Sequence, residues 1–215
     1  MTREEAKARI EEIGIVPGIR VGTADDALYG AETVYQAGIP VAEITMTVPG
    51  AVDVIKQLAQ RHPDMIVGAG TVLDTETARR CVDAGAKFLT STGLVAEVVA
   101  FALKSNVLAI PGALTPTEVI AAWKSGADLV KIFPAAPMGG DQYIRSLKVP
   151  LPQVSLIAAG GVNQQTAVGF MLAGASALGV GMELLPRDAV RRRQGERIHE
   201  LTRRFLGFVE EARLS

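Results

Sequence analysis

Apolar runs of four to eight residues recur along the chain at near-even spacing, separated by longer stretches that mix apolar and charged positions. Four runs share a lead-in of a small residue and a glycine: AGIPVAEI from Ala37, AGAKFLTS from Ala84, SGADLVKI from Ser125 and AGASALGV from Ala173. Glycine just past a helix end supplies a left-handed cap, so each phrase reads as a helix stop followed by a strand. The phrases lie about 41 to 48 residues apart, roughly twice the length of one βα unit. Four further strand candidates fall between them: GIVPGIRV from Gly14, MIVGAGTV from Met65, NVLAIPG from Asn106 and VSLIAAGG from Val154. The pattern predicts helices over 24–37, 50–61, 75–84, 94–104, 116–124, 141–147 and 164–173.

Eight strand-then-helix units in a chain of 215 residues predict a single (β/α)8 TIM barrel domain spanning 1–215. A doubly wound open sheet is the competitor, but it usually has fewer strands at this length. The charged segment MTREEAKARIEEIG predicts an extra N-terminal helix over about 2–13, closing the barrel bottom, and does not read as a signal peptide. In the arginine-rich tail, Ile198, Leu201, Phe205 and Phe208 fall near helical spacing, which predicts an amphipathic last helix docked on the barrel.

A formal net charge of -1 gives no reason to expect a nucleic-acid or anionic-membrane partner, and no apolar run is long enough to span a bilayer. Cys81 is the only cysteine, so no intrachain disulfide can form, and a reducing cytoplasm is the expected location. His62 and His199 lie far apart in charged surroundings, so no metal site built on clustered His and Cys is expected.

In such barrels chemistry gathers at the C-terminal ends of the strands. The ends offer Arg20; Glu43, Thr45 and Thr47; Thr71; Ser91, Thr92 and Gly93; Pro111; Lys131; AAGGVN; and GVGMEL. Lys131 stands out because it interrupts the apolar run DLVKIFPA, and lysine is among the residues least often buried without a partner. A structural ion pair with Glu43 is one reading, although desolvating both ions costs several kcal/mol each. Catalysis is the other: burial favours the neutral amine, which attacks a ketone to give a Schiff base, while a nearby carboxylate moves protons. Asp25 and Asp26 read as caps of the helix after the first strand, and PMGGDQY at 137–143 as a turn with a weaker claim to anion binding.

EITMTVP at 43–49, GAGTVL at 68–73, PGALTPTE at 111–118, KIFPA at 131–135 and GGVN at 160–163 together resemble the 2-keto-3-deoxy-6-phosphogluconate (KDPG) aldolase family, which includes 4-hydroxy-2-oxoglutarate aldolase activity. The resemblance runs from about residue 14 to 185. It implies a (β/α)8 barrel, a homotrimer and a metal-independent class I aldolase that splits a 2-keto-4-hydroxy acid to pyruvate and an aldehyde. Lys131 matches the Schiff-base lysine and Glu43 the proton-transferring glutamate; Thr71 matches a residue that helps bind the pyruvyl carboxylate, and Arg20 stands where some members carry a carboxylate-binding arginine. The expected substrate contacts are therefore Arg20, Thr71, Thr47, Thr92, Pro111, Gly160, Gly161, Val162 and Gly181, with no cofactor. The departures cluster away from the imine: Thr47 replaces an arginine found in many members, Thr92 a proline, Ala159 a threonine, and Met182, followed by Glu183, a phosphate-binding serine. Two rivals stay open, a keto-acid-binding barrel without turnover and a phosphosugar isomerase or epimerase.

Overall fold

The computed structural model describes residues 1–215. In chain order its elements are α1 (Arg3–Ile13), β1 (Ile15–Ile19), α2 (Ala24–Gln36), β2 (Val41–Thr45), α3 (Ala51–Arg61), β3 (Ile66–Gly70), α4 (Thr75–Asp83), β4 (Phe88–Thr90), α5 (Ala96–Lys104), β5 (Leu108–Ile110), β6 (Gly112–Ala113), α6 (Pro116–Lys124), β7 (Val130–Ile132), α7 (Gly140–Lys148), β8 (Leu156–Ala159), α8 (Ala167–Leu172), β9 (Ala177–Val180), α9 (Arg187–Arg191) and α10 (Gly195–Leu214). Every pairing is parallel, in the order β5-β4-β3-β2-β1-β9-β8-β7-β6.

The two ends of that order, β5 and β6, are consecutive in the chain, so the sheet closes through one residue, Pro111. Proline has no N–H to give a ladder, and the expected fifth strand is split there into a half that pairs with β4 and a half that pairs with β7. Two hydrogen bonds bridge the gap: Lys131 N donates to Pro111 O at 2.9 Å, and Asp128 N to Ala109 O at 3.0 Å. The result is the expected (β/α)8 barrel, with nine strand segments where eight were predicted.

Glycines make room inside. In register, Gly18, Glu43, Gly68, Phe88 and Leu108 lie across five neighbouring strands. A Cβ at Gly68 would stand 2.3 Å from the Phe88 ring, so the bare backbone there is what lets this fully buried phenyl fill the barrel centre.

The leading helix begins at a capping box between Thr2 and Glu5 and lies across the barrel bottom. Arg3 Nε stands 3.2 Å from Asp128 Oδ1, while Asp128 Oδ2 accepts from Ala109 N at 3.0 Å. Burial pushes the Asp128 carboxyl up despite these partners. The last helix buries Ile198, Thr202, Phe205 and Val209, with Leu201 and Phe208 packed beside them. One cap differs from expectation. Thr23, not an aspartate, caps α2 through a bond from Asp26 N at 3.1 Å, and Asp25 and Asp26 instead hold Arg193 at the α9–α10 corner.

Candidate active site

Val130 and Ile132 are buried on one face of β7, and alternation along the strand sends Lys131 to the other face, toward the barrel axis. Its Nζ donates to Glu43 Oε1 at 3.2 Å and Oε2 at 3.3 Å, and to Thr90 Oγ1 at 3.5 Å. The Phe133 ring lies 6.0 Å from the same nitrogen. The side chain of Lys131 keeps 14% of its exposure and that of Glu43 6%, so the pair is not sealed in the core as the run DLVKIFPA suggested. It forms the floor of a cavity of about 350 Å³ at the C-terminal ends of the strands.

Space for the carboxylate depends on Gly70 of β3. A Cβ there would lie 2.2 Å from Glu43 Oε1 and 2.8 Å from its Cγ. The central glycine pair of GAGTVL thus serves two side chains, Gly68 accommodating Phe88 and Gly70 accommodating Glu43.

The next residue is strained. Thr71 has φ 60°, a left-handed backbone that a β-branched residue adopts at a cost, and such strain gathers at functional positions. Its hydroxyl accepts from Arg20 Nη2 at 3.5 Å. Arg20 lines the cavity and takes part in no ion pair. Thr45 also lines the cavity; its hydroxyl lies 3.0 Å from Ile19 O and 2.8 Å from the hydroxyl of Thr47, which stands behind it. On the far wall, Gly160 and Gly161 have φ of 82° and 84°, and a Cβ on Gly161 would lie 2.5 Å from that of Ala136. This tight turn leaves the amides of Gly161 and Val162 without an acceptor in the protein. Free amides on a glycine turn suit an anion.

A family model described as KDPG and KHG aldolase matches residues 6–201. This chain belongs to that family. It is 29% identical over 214 residues to the 2-dehydro-3-deoxy-phosphogluconate aldolase of Pseudomonas aeruginosa, covering 98% of this chain and 97% of that one. It is 33% identical over 201 residues to the KHG/KDPG aldolase of Escherichia coli, covering 93% and 92%. Among solved structures, the KDPG aldolase of Legionella pneumophila, captured with pyruvate as a covalent carbinolamine intermediate, superposes with a TM-score of 0.84 at 30% identity, covering 92% of this chain and 96% of that one.

Of the residues expected at the site, Lys131, Glu43, Arg20, Gly160, Gly161, Val162 and Gly181 line the one cavity. Thr71, Thr47, Thr92 and Pro111 do not. Thr71 and Thr47 touch lining residues from behind; the Thr92 backbone packs against Gly112, and Pro111 spends its carbonyl on closing the barrel. PMGGDQY is not a plain turn: it runs from a 3₁₀ turn over Ala136–Met138 into the start of α7, with Gly139 and Gly140 at φ 120° and 64°, and lies outside the cavity. The structure adds Phe133, Leu185 and Arg187 to the wall. Arg187 is exposed at the mouth, in the tail that the sequence pattern assigns to packing, yet its place just after the last strand was a signal that it borders the strand ends. No group of three or more His, Cys, Asp or Glu side chains is arranged to hold a metal ion.

The contact at Gly70 generates the first prediction. Gly70→Ala forces Glu43 from Lys131 and is expected to lower kcat by about 10²-fold, the scale of a 1 Å misplacement of a catalytic group. Gly93→Ala, whose Cβ would meet nothing within 4 Å, is the control and should leave kcat unchanged. Steady-state turnover by both variants checks this; equal rates would show that the cleared space does not matter.

Proposed function

We propose that this chain is a class I aldolase that reversibly cleaves a 2-keto-4-hydroxy acid to pyruvate and an aldehyde, with Lys131 as the imine-forming residue and Glu43 as the group that moves protons. The observation that carries the reading is a lysine amine 3.2 Å from a carboxylate on the floor of a cavity that also holds the unpaired guanidinium of Arg20.

Lys131 gives one proton to solvent, and the lone pair of the neutral amine attacks the C2 keto carbon to form a carbinolamine, Glu43 passing a proton from the nitrogen to the oxygen. The carbinolamine hydroxyl takes up a proton through Glu43 and leaves as water, which gives an iminium ion and leaves Glu43 ionised. Glu43 then removes the C4 hydroxyl proton; the C3–C4 bond breaks, the aldehyde departs, and the electron pair moves into the iminium to give an enamine. Protonation at C3 and addition of water release pyruvate and restore the amine. The covalent imine is the electron sink, so the scheme uses no metal and no cofactor. Arg20, steadied by Thr71, holds the pyruvyl carboxylate through a charge-assisted bond.

At the distal end, Gly161 and Val162, whose amides have no acceptor in the protein, line the cavity with Gly181, Met182, Glu183 and Arg187. Ala159 and Met182 supply no hydroxyl, and the charges of Glu183 and Arg187 offset one another, so a phosphate gains less here than in a site built with two hydroxyl donors. The proposal extends to one barrel domain, a cytoplasmic location and a homotrimer. In support of the assembly, Leu73 and Met138 leave apolar surface exposed in loops after β3 and β7, which a subunit contact would cover.

Three expectations test this reading. Borohydride with pyruvate should add one reduced pyruvyl group at Lys131, seen by mass spectrometry. Lys131→Met should abolish labelling and turnover, Glu43→Gln should lower kcat by about 10²–10⁴-fold, and EDTA should change nothing. Labelling at another lysine would reject the mechanism. For the distal end, kcat/KM for KDPG should exceed that for 4-hydroxy-2-oxoglutarate or 2-keto-3-deoxygluconate by less than about 10³-fold, since two missing bonds to a charged group remove about 1.5–3 kcal/mol each. Arg187→Ala should lower the rate on KDPG more than on 2-keto-3-deoxygluconate, and Met182→Ser with Ala159→Thr should raise the ratio. For the assembly, light scattering should give the mass of three chains; a monomer would reject that part alone.

A further inference from the structure

The scheme above leaves one neighbour of the Lys131 amine without a task. Thr90 ends β4, is 1% exposed, and directs Oγ1 to within 3.5 Å of Nζ. That amine is the only hydrogen-bond partner of its hydroxyl. The other hydroxyl near the pair, on Thr45, is taken up by Ile19 O at 3.0 Å and Thr47 at 2.8 Å. Ala159 and Gly179, on the opposite wall, have no polar side-chain atom.

An amine nitrogen has three positions besides its bond to Cε. Glu43 and Thr90 both accept from Nζ, at 3.2 Å and 3.5 Å, and Lys131 also lines the cavity. When the amine is neutral it keeps two N–H groups and one lone pair. If each N–H has a protein acceptor, the lone pair is left pointing at the substrate. With Glu43 alone, rotation about the Cε–Nζ bond spreads the lone pair over directions that do not reach a keto carbon, and orientation is a large part of such a rate.

We infer that Thr90 is a positioning residue that aims the Lys131 lone pair into the cavity by accepting one of its N–H groups. This rests on the reading that Lys131 forms the imine. Thr90 touches no substrate in this arrangement, because it does not line the cavity. It acts through Lys131.

Rapid-quench trapping with pyruvate and borohydride tests it on wild type, Thr90→Val, Thr90→Ala and Thr90→Ser. Valine and alanine remove the hydroxyl with and without filling its space; serine keeps it. Expected is a loss of about 10-fold in imine formation at saturating pyruvate for both valine and alanine, with KM for pyruvate within about twofold and the thermal midpoint of the valine variant not lowered. Serine should recover the rate to within about threefold of wild type. Valine and alanine variants that trap as fast as wild type would overturn the inference, as would a serine variant as slow as valine. So would failure of both valine and alanine variants to fold, which would make the hydroxyl structural. Wild-type labelling away from Lys131 would instead remove the aldolase reading and this inference with it, whereas labelling at Lys131 with an unaffected valine variant removes the inference alone.

Discussion

A lysine and a glutamate can share the inside of a barrel only where their charges stay in contact and the surrounding backbone leaves them space. The distance of 3.2 Å between Lys131 and Glu43 meets the first condition, and Gly70 the second. The same requirement recurs two residues earlier on β3, where Gly68 admits the buried Phe88 ring. Such a pair is a poor source of stability, since desolvation offsets most of the attraction, while removing one partner strands the other charge. Its location on the floor of a cavity, with partial exposure of Lys131, lowers that cost and gives the amine somewhere to react.

Much of the fold was legible because parallel strands buried on both faces read as short apolar runs, and glycine marks the helix ends before them. Each of the eight expected runs contains a strand. The split at Pro111 was visible as a proline inside NVLAIPG, but only pairing partners reveal that its two sides bond to different neighbours. The helix expected over 164–173 begins later, at Ala167, because the Asn163 side chain accepts from the amides of Gln165 and Thr166 and folds that stretch into a turn. The aspartates after β1 misled for a related reason: Thr23 stood two residues earlier with the same capping ability, which freed them for Arg193.

The site was legible where a side chain reaches the cavity from a strand and illegible where it does so from a loop. Lys131 and Glu43 follow from strand parity, which is strict. Arg187 follows from nothing so regular: it lies beyond Pro186 in a segment whose direction is set by how the chain turns after β9. Thr90 was overlooked for the opposite reason. It sits inside a strand, where a threonine is unremarkable, and its meaning comes only from a lysine 41 positions away in the chain. Thr92 and Pro111 sit at strand ends on the β4–β6 side, while the cavity is bounded by β1, β2, β7, β8 and β9, so position along a strand did not decide position around the barrel.

This layout separates two kinds of requirement. The groups around the amine come from three strands, β2, β4 and β7, whose hydrogen-bonded register leaves little freedom to shift. The groups at the distal end come from backbone amides and from side chains on the loops after β8 and β9. Loops tolerate substitution better than the elements they join. Met182 and Glu183 can therefore differ from the family pattern without disturbing the contact between Lys131 and Glu43, because no strand pairing passes through them. On the proposed mechanism, a change at the distal end would alter which aldehyde is held, and a change at Gly70 or Thr90 would alter how readily the amine reacts. On that reading the barrel keeps its chemistry on the strands and its choice of substrate on the loops.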